Sequence, residues 1–569
     1  MNFPEILTVP EICSKNGITD AIIAPGSRNA PLTISFARHN DINCKVIPDE
    51  RSAAFIALGI AQQTNRPVVL ICTSGSAALN FAPAIAEAYF QQIPLLILTA
   101  DRPPEWIDQL DGQTIRQNNI YGNHVKKSFT IEVDLSHEDA KWYAQRQLNE
   151  GINLSKAFPP GPVHLNYPFR EPLYPIQEYE TPDVKIIENV TGISKLSESQ
   201  IIRIKEDLRT FERKLIICGQ DVRSSEELAA LKQISEELKI PVVGDIISNI
   251  HGNESSITHS DIFLGSKKSG LQQSLKTDLL ITFGKSILSK NLKQFLRNNP
   301  PKEHWHIQKA GYAADTYKGL TKVIYSEELD FLNILLESKE KEDFNFQKQE
   351  NYYHIWVIEE RKAKRLINSF FPQEFPSEFS LVHNAISSLK NANLHLSNSM
   401  TVRYANFIGL NENQDNVTVY CNRGTSGIDG CTSTAIGASL SSEKLNILIS
   451  GDMAFLYDRN AFWHNYKYLN FRAIVLNNHG GGIFRMINGP SSTPELEEYF
   501  ETSQSKTTKN LCEEYGIEYL FCDNKRKVKN LLQRLFENDG IPKILEIESK
   551  SSDNKQILDD FKAAFDNLK

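Results

Sequence analysis

The sequence predicts an α/β protein of three doubly wound domains, each organised around a buried parallel sheet. Three observations carry this expectation. At 569 residues the chain is too long for one core, and about 150 residues per domain suggests three or four. Short apolar runs, the mark of strands buried on both faces, alternate with helix-length amphipathic stretches. A composition of 40% hydrophobic, 9% aromatic and 23% charged residues is that of a packed soluble protein and excludes disorder.

In the first segment the runs at 21–24, 68–72, 95–99 and 163–166 read as strands. A proline-rich stretch at 171–182 resists a helix and reads as a linker, which sets a first domain at 1–180. The middle segment repeats the pattern with runs at 215–218, 241–243 and 279–283, each ending in a glycine turn. A charged run at 337–343, read as a solvated connection, closes this second domain at 181–345. Runs at 394–397, 417–421, 446–450, 473–476 and 544–548 make a third domain at 346–569. The likeness of the first and last segments fits either an old duplication or reuse of one fold.

Lys plus Arg is 62 against 70 Asp plus Glu, a net charge of −8, and no basic run stands out, so nucleic acid is not an expected partner. No apolar stretch approaches the roughly 20 residues of a membrane span, and the first residues lack a basic region followed by an apolar one, so neither membrane insertion nor a secretory signal is expected. The default location is cytoplasmic. Eight scattered cysteines, none paired at two-residue spacing, read as reduced thiols of the core.

Ligands of open α/β sheets bind beyond the carboxyl ends of the strands, and here those ends are basic. The first run is followed by Pro25-Gly26-Ser27-Arg28, the third by Asp101-Arg102-Pro103-Pro104, and the middle segment carries Lys285 and Lys290 after Gly284. In the last segment the runs end in Asn398-Ser399 with Arg403, and in Asn422-Arg423-Gly424. A lone arginine is as readily a surface ion pair, but several at strand ends favour a substrate with more than one carboxylate or phosphate.

The sharpest signal is Gly451-Asp452, followed 26 residues after the Asp by Asn478 in Leu476-Asn477-Asn478-His479-Gly480-Gly481-Gly482. One carboxylate, one amide oxygen and a backbone carbonyl in adjacent strand-end loops suit Mg²⁺, and the glycines allow a phosphate close to the backbone. Each piece alone is more often a turn. His479 could titrate near neutrality, but a loop-spacing role is at least as good a reading. His304 and His306 share a strand face with no acidic or cysteine partner nearby and read as packing or surface.

A Gly-Asp with Asn-Asn at this spacing, three α/β domains and a first-domain glutamate in Asp49-Glu50-Arg51-Ser52-Ala53 together resemble the decarboxylase branch of the thiamine-diphosphate-dependent enzymes. That resemblance implies the thiamine-diphosphate-binding fold. Within the branch, Pro25–Arg28, Asp49–Ala53, 101–105, Gln113-Thr114-Ile115-Arg116-Gln117, Asn398-Ser399 with Arg403, 423–430 and 477–484 are similar, in order, to the 2-succinyl-5-enolpyruvyl-6-hydroxy-3-cyclohexene-1-carboxylate synthases of menaquinone biosynthesis.

The resemblance implies a transferase that decarboxylates 2-oxoglutarate on thiamine diphosphate and adds the resulting succinyl-semialdehyde carbanion equivalent to isochorismate. It assigns Glu50 to the aminopyrimidine ring of the cofactor, and Asp452, Asn478 and the Gly480 carbonyl to Mg²⁺, with Mn²⁺ as a substitute. Gly451, Met453, Gly481 and Ile483 accompany the diphosphate motif, Ser399 and Ile428 lie by the cofactor, and Phe484 forms an apolar wall. Ser27, Arg28, Arg102, Gln113, Lys290, Ser399, Arg403 and Arg423 fall at substrate and active-site positions. A homodimer or homotetramer is implied, in which Glu50 meets cofactor bound to the last domain of a partner subunit.

Two positions depart from the wider superfamily: Met453 stands for a common glycine and His479 for a common Asn or Asp. A plain 2-oxoacid decarboxylase or another carboligase would share Glu50, Asp452 and Asn478, but a monocarboxylate substrate needs fewer cations. A non-catalytic descendant of the scaffold would be expected to have lost Glu50 or a metal ligand.

Overall fold

The computed structural model describes residues 3–174, 182–190, 192, 195–253, 255–266, 270–338, 344–371, 377–414, 416–487, 489–522 and 527–568. Most of the proline-rich linker (175–181) and of the charged run (339–343) lies outside these.

Three six-stranded sheets form, and their pairings are parallel. The first contains β1 (Asp20–Ile23), β2 (Asn43–Val46), β3 (Val68–Cys72), β4 (Leu95–Asp101), β5 (Ser128–Thr130) and β6 (Val163–Pro168), in the order β2-β1-β3-β4-β6-β5. The second contains β7 (Lys214–Cys218), β8 (Val242–Gly244), β9 (Ser256–Ile257), β10 (Leu279–Phe283), β11 (Glu303–Gln308) and β12 (Leu320–Tyr325), in the order β12-β11-β10-β7-β8-β9. The third contains β13 (Ala392–Leu396), β14 (Thr418–Tyr420), β15 (Leu445–Gly451), β16 (Phe471–Asn477), β17 (Glu518–Cys522) and β18 (Lys543–Glu548), in the order β14-β13-β15-β16-β18-β17.

Counted within each sheet, the first and third share one strand order, so the likeness between the outer segments is a likeness of topology. The middle sheet has the other doubly wound order. Of the strands that leave no apolar run in the sequence, β2, β5, β12 and β17 are half-exposed edge strands whose side chains need not be apolar on both faces, β9 is a two-residue edge strand, and β11 lies inside the middle sheet with polar residues among its buried ones.

The outer units meet along two helices. Glu50–Thr64 starts at Asp49, whose side chain accepts from the Ser52 N–H at 2.9 Å, and is buried from Ser52 to Ala61. It packs on the wholly buried helix Cys431–Ser439. A Cβ at Gly59 would lie 2.1 Å from the Thr434 carbonyl oxygen, and one at Gly437 2.2 Å from that of Ile56, so only glycine permits this approach. The helix Phe344–Phe370 joins the middle and last units: Trp356 meets Phe263 edge-on at 5.7 Å, and Phe370 meets Phe561 at 5.1 Å.

The start of the helix Cys431–Ser439 is held by Asp458, which accepts from the Ser433 N–H and hydroxyl at 2.6 and 2.7 Å. Burial pushes the Asp458 carboxyl up to about 7, against those donors. The folded state therefore holds this proton more tightly than the unfolded chain does. The associated stability is complete below the unfolded carboxylate range and is lost as pH rises through about 7. Asp458→Asn carries no such proton, so wild-type stability relative to this variant should fall by on the order of 3 kcal/mol between about pH 4 and 7, read by urea unfolding at stepped pH.

Seven of the eight cysteines are buried. His304 and His306 both bond Thr282 Oγ1 at 2.8 Å, and burial holds both imidazoles below their usual range, in keeping with packing. Among the described residues no helix is long and apolar enough to cross a membrane.

Candidate active site

In the third sheet the strand order reverses between β13 and β15, and the loops that leave these strands and β16 enclose a cavity of about 660 Å³. This is where an open parallel sheet binds its ligands. Of the residues singled out in the sequence, Gly451, Asp452, Met453, Asn478, Gly480 and Gly481 line it. So do Ser399, Arg403, Arg423, Ile428, Ile483 and Phe484.

Asp452 opens the helix Asp452–Tyr457 and is buried, which pushes its carboxyl up to about 6, while Gln504 Nε2 donates to its Oδ2 at 2.7 Å. Asn478 donates through Nδ2 to Glu378 Oε1 at 2.8 Å, and its Oδ1 is buried without a hydrogen-bond partner. The Gly480 carbonyl accepts from the Gly482 N–H at 3.0 Å. A Cβ at Gly451 would meet nothing within 4 Å, so packing within the chain does not call for glycine there, and its bare backbone lines the cavity. At Gly480, by contrast, a Cβ would lie 2.7 Å from the Glu501 carbonyl oxygen.

One carboxylate, one orphaned amide oxygen and one backbone carbonyl are hard oxygen donors of the kind Mg²⁺ takes, and bare backbone at Gly451 leaves room for a phosphate beside them. Among the described residues no three His, Cys, Asp or Glu side chains cluster to hold a metal, so this mixed set is the candidate. His479 has a φ of 62° and its Nε2 lies 3.6 Å from Glu548 Oε1, so it shapes the loop and does not line the cavity. Ser399 and Ser426 also hold positive φ, 75° and 64°, at the cavity wall, strain that a rigid surround sustains.

Cations gather on one side. Arg403 lies on the helix Met400–Ile408 and donates to the Ser399 carbonyl, and Arg423 Nη1 donates to Asn398 Oδ1 at 2.9 Å. Burial first, then the Arg423 charge, lowers the Arg403 guanidinium from its usual range. Lys293 is lowered by the same two causes, and its Nζ donates to the Ile287 carbonyl at 3.0 Å. Sequence reading selected Lys290, which is exposed at the start of the helix Lys290–Asn298 and does not line the cavity. Lys293, one turn on, does not line it either, but is electrostatically tied to both arginines. Nothing local distinguishes it from other helix lysines.

The first-unit residues lie at the strand ends of their own sheet. Glu50 Oε2 accepts from Asn80 Nδ2 at 3.1 Å, and Ser27 is exposed. Arg28 is buried, donates to the Phe169 carbonyl at 3.0 Å and pairs with Glu171 at 3.5 Å. Arg102 donates to the Gly112 carbonyl at 3.0 Å, and Gln113 is exposed with a φ of 55°. Within one chain none of these five lines the cavity of the third sheet.

Glu87, which the sequence reading missed, fixes the loop that bears Arg423 and Ile428. Buried on the helix Ala82–Gln91, it accepts from the Gly424 N–H at 2.7 Å and from the Thr425 N–H and hydroxyl at 2.6 Å. Gln91 Nε2 donates to Glu87 as well, so Glu87→Ala leaves four donors without a partner, and a loss of about 3–5 kcal/mol in denaturant unfolding is expected.

Three family models match the chain in turn: the N-terminal TPP binding domain of thiamine pyrophosphate enzymes over residues 8–124, the middle domain over 189–396, and the C-terminal TPP binding domain over 399–547. The chain is 44% identical, over 98% of both chains, to a protein of Cytophaga hutchinsonii named 2-succinyl-5-enolpyruvyl-6-hydroxy-3-cyclohexene-1-carboxylate synthase. Proteins of the same name from Flavobacterium johnsoniae and Christiangramia forsetii are 39% and 37% identical over 98% of this chain and 99% and 97% of their own.

Proposed function

This chain belongs to the 2-succinyl-5-enolpyruvyl-6-hydroxy-3-cyclohexene-1-carboxylate synthase family of thiamine-diphosphate-dependent enzymes, and from that premise we propose that it decarboxylates 2-oxoglutarate and joins the four-carbon remainder to isochorismate. Asp452 Oδ1 and Oδ2, Asn478 Oδ1 and the Gly480 carbonyl are the oxygens offered to Mg²⁺ or Mn²⁺. Gly451, Met453, Gly481 and Ile483 flank the diphosphate, with Ile428, Ser399 and Phe484 beside the rest of the cofactor. When bound, thiamine diphosphate supplies the carbon nucleophile and the electron sink for loss of CO₂.

The protein's own part is binding, orientation and proton placement. Glu50, steadied by Asn80, shares a proton with the pyrimidine ring. Arg403 and Arg423 pair substrate carboxylates in a site whose apolar wall at Ile483 and Phe484 keeps water out. Ser27, Arg28, Arg102, Gln113 and Lys290 complete the substrate side. Because Glu50 and its neighbours do not line the third-sheet cavity of their own chain, we assign them to the cavity of a second copy, in a cytoplasmic homodimer or homotetramer divided into domains 1–180, 181–345 and 346–569.

One observation carries the reading: an orphaned amide oxygen, a buried carboxylate and an unfilled glycine stand together under a rim of cations. Loss of 2-oxoglutarate, followed with thiamine diphosphate and Mg²⁺, should depend on isochorismate and yield the coupled product. Full-rate loss of 2-oxoglutarate alone would identify a plain decarboxylase instead.

A further inference from the structure

The buried Glu378 has no part in the chemistry assigned so far, yet it lines the same cavity. It opens the helix Glu378–Ser387, whose N-terminus is capped by Ser377. Its Oε1 accepts from Asn478 Nδ2 at 2.8 Å and from Ser549 Oγ at 2.9 Å. Ser549 Oγ accepts from Asn554 Nδ2 at 2.9 Å, and Asn554 Oδ1 accepts from the Glu378 N–H at 3.1 Å. Oε1 and the backbone N–H of Glu378 are thus joined through Ser549 and Asn554.

An asparagine amide has nearly the same shape with its oxygen and nitrogen exchanged, so only its partners decide which end points where. With Ser549 already donating to Oε1, that oxygen serves as an acceptor and takes the NH₂ end of Asn478. The other end, Oδ1, is left buried with no partner at the cavity wall.

We propose that Glu378 is a positioning residue that holds the Asn478 amide with its oxygen toward the cavity and so creates the neutral oxygen donor of the divalent-cation site. This rests on the cation assignment made above. An exchanged amide would set N–H groups against the cation and Oδ1 against the carboxylate. Both contacts are unfavourable, and outer partners of this kind typically account for 10–100-fold in metal affinity.

Mn²⁺ affinity, measured by electron paramagnetic resonance in the presence of thiamine diphosphate, tests this without reference to turnover. Glu378→Met removes the acceptor at similar volume and should weaken Mn²⁺ at least tenfold. Glu378→Gln can keep a carbonyl oxygen at the Oε1 position and should bind within about threefold of the wild type, because orientation and not charge is the proposed role. If Glu378→Met does not fold, Glu378→Ala serves the same comparison. Unchanged affinity in the acceptor-free variant, or a glutamine variant as weak as the methionine one, overturns the proposal. A wild type that binds no Mn²⁺ overturns the cation assignment itself.

Discussion

Glu50→Gln is expected to leave the fold and most cofactor binding in place and to lower turnover by about 10²–10⁴-fold, the usual contribution of a positioned proton donor or acceptor. The two side chains have one shape, and the glutamine oxygen can still accept from Asn80 Nδ2. Asp49, not Glu50, caps the helix Glu50–Thr64, so the cap survives. What is lost is a carboxyl able to share a proton. Comparing kcat with the thermal midpoint and with thiamine diphosphate affinity separates these effects, and a fully active variant would show that proton movement does not pass through Glu50.

Arg403→Ala has the next largest expected effect, a fall of about 10²–10³-fold in kcat/KM for the dicarboxylate substrates with cofactor affinity changed less than about threefold. The loss arises because a carboxylate bound in this partly buried site would lack its partner. Stability should hardly suffer. Arg403 is crowded by Arg423 in the free protein, so removing it relieves a like-charge contact. Equal loss of substrate use and cofactor binding would move Arg403 from substrate recognition to the cofactor cradle.

Much of the site was legible because its motifs are contiguous. Gly451-Asp452 and Asn478 through Phe484 each leave one strand of the third sheet, and adjacent strands bring them together wherever the sheet forms. The cations were legible as a class for the same reason. Lys290 and Lys293 lie one turn apart on one helix, and only the packing of that helix ties Lys293 to Arg403 and Arg423. Met453 and His479 follow the same division. Their places in the motif are read from sequence, but the left-handed backbone of His479 and its approach to Glu548 belong to the folded loop.

The sequence by itself determined the α/β class, most central strands of three parallel sheets and the contiguous motifs that meet at the third-sheet cavity. These are properties of period and spacing, carried by residues a few positions apart. Tertiary structure alone decided the shared strand order of the outer sheets, the half-exposed edge strands, and the separation of Glu50 from its own chain's cavity. It also decided two carboxylate clamps, Glu378 on Asn478 across 100 residues and Glu87 on the 423–430 loop across 337. The reason is that a buried carboxylate must find donors wherever the fold supplies them, and partners hundreds of residues apart leave no local pattern to read.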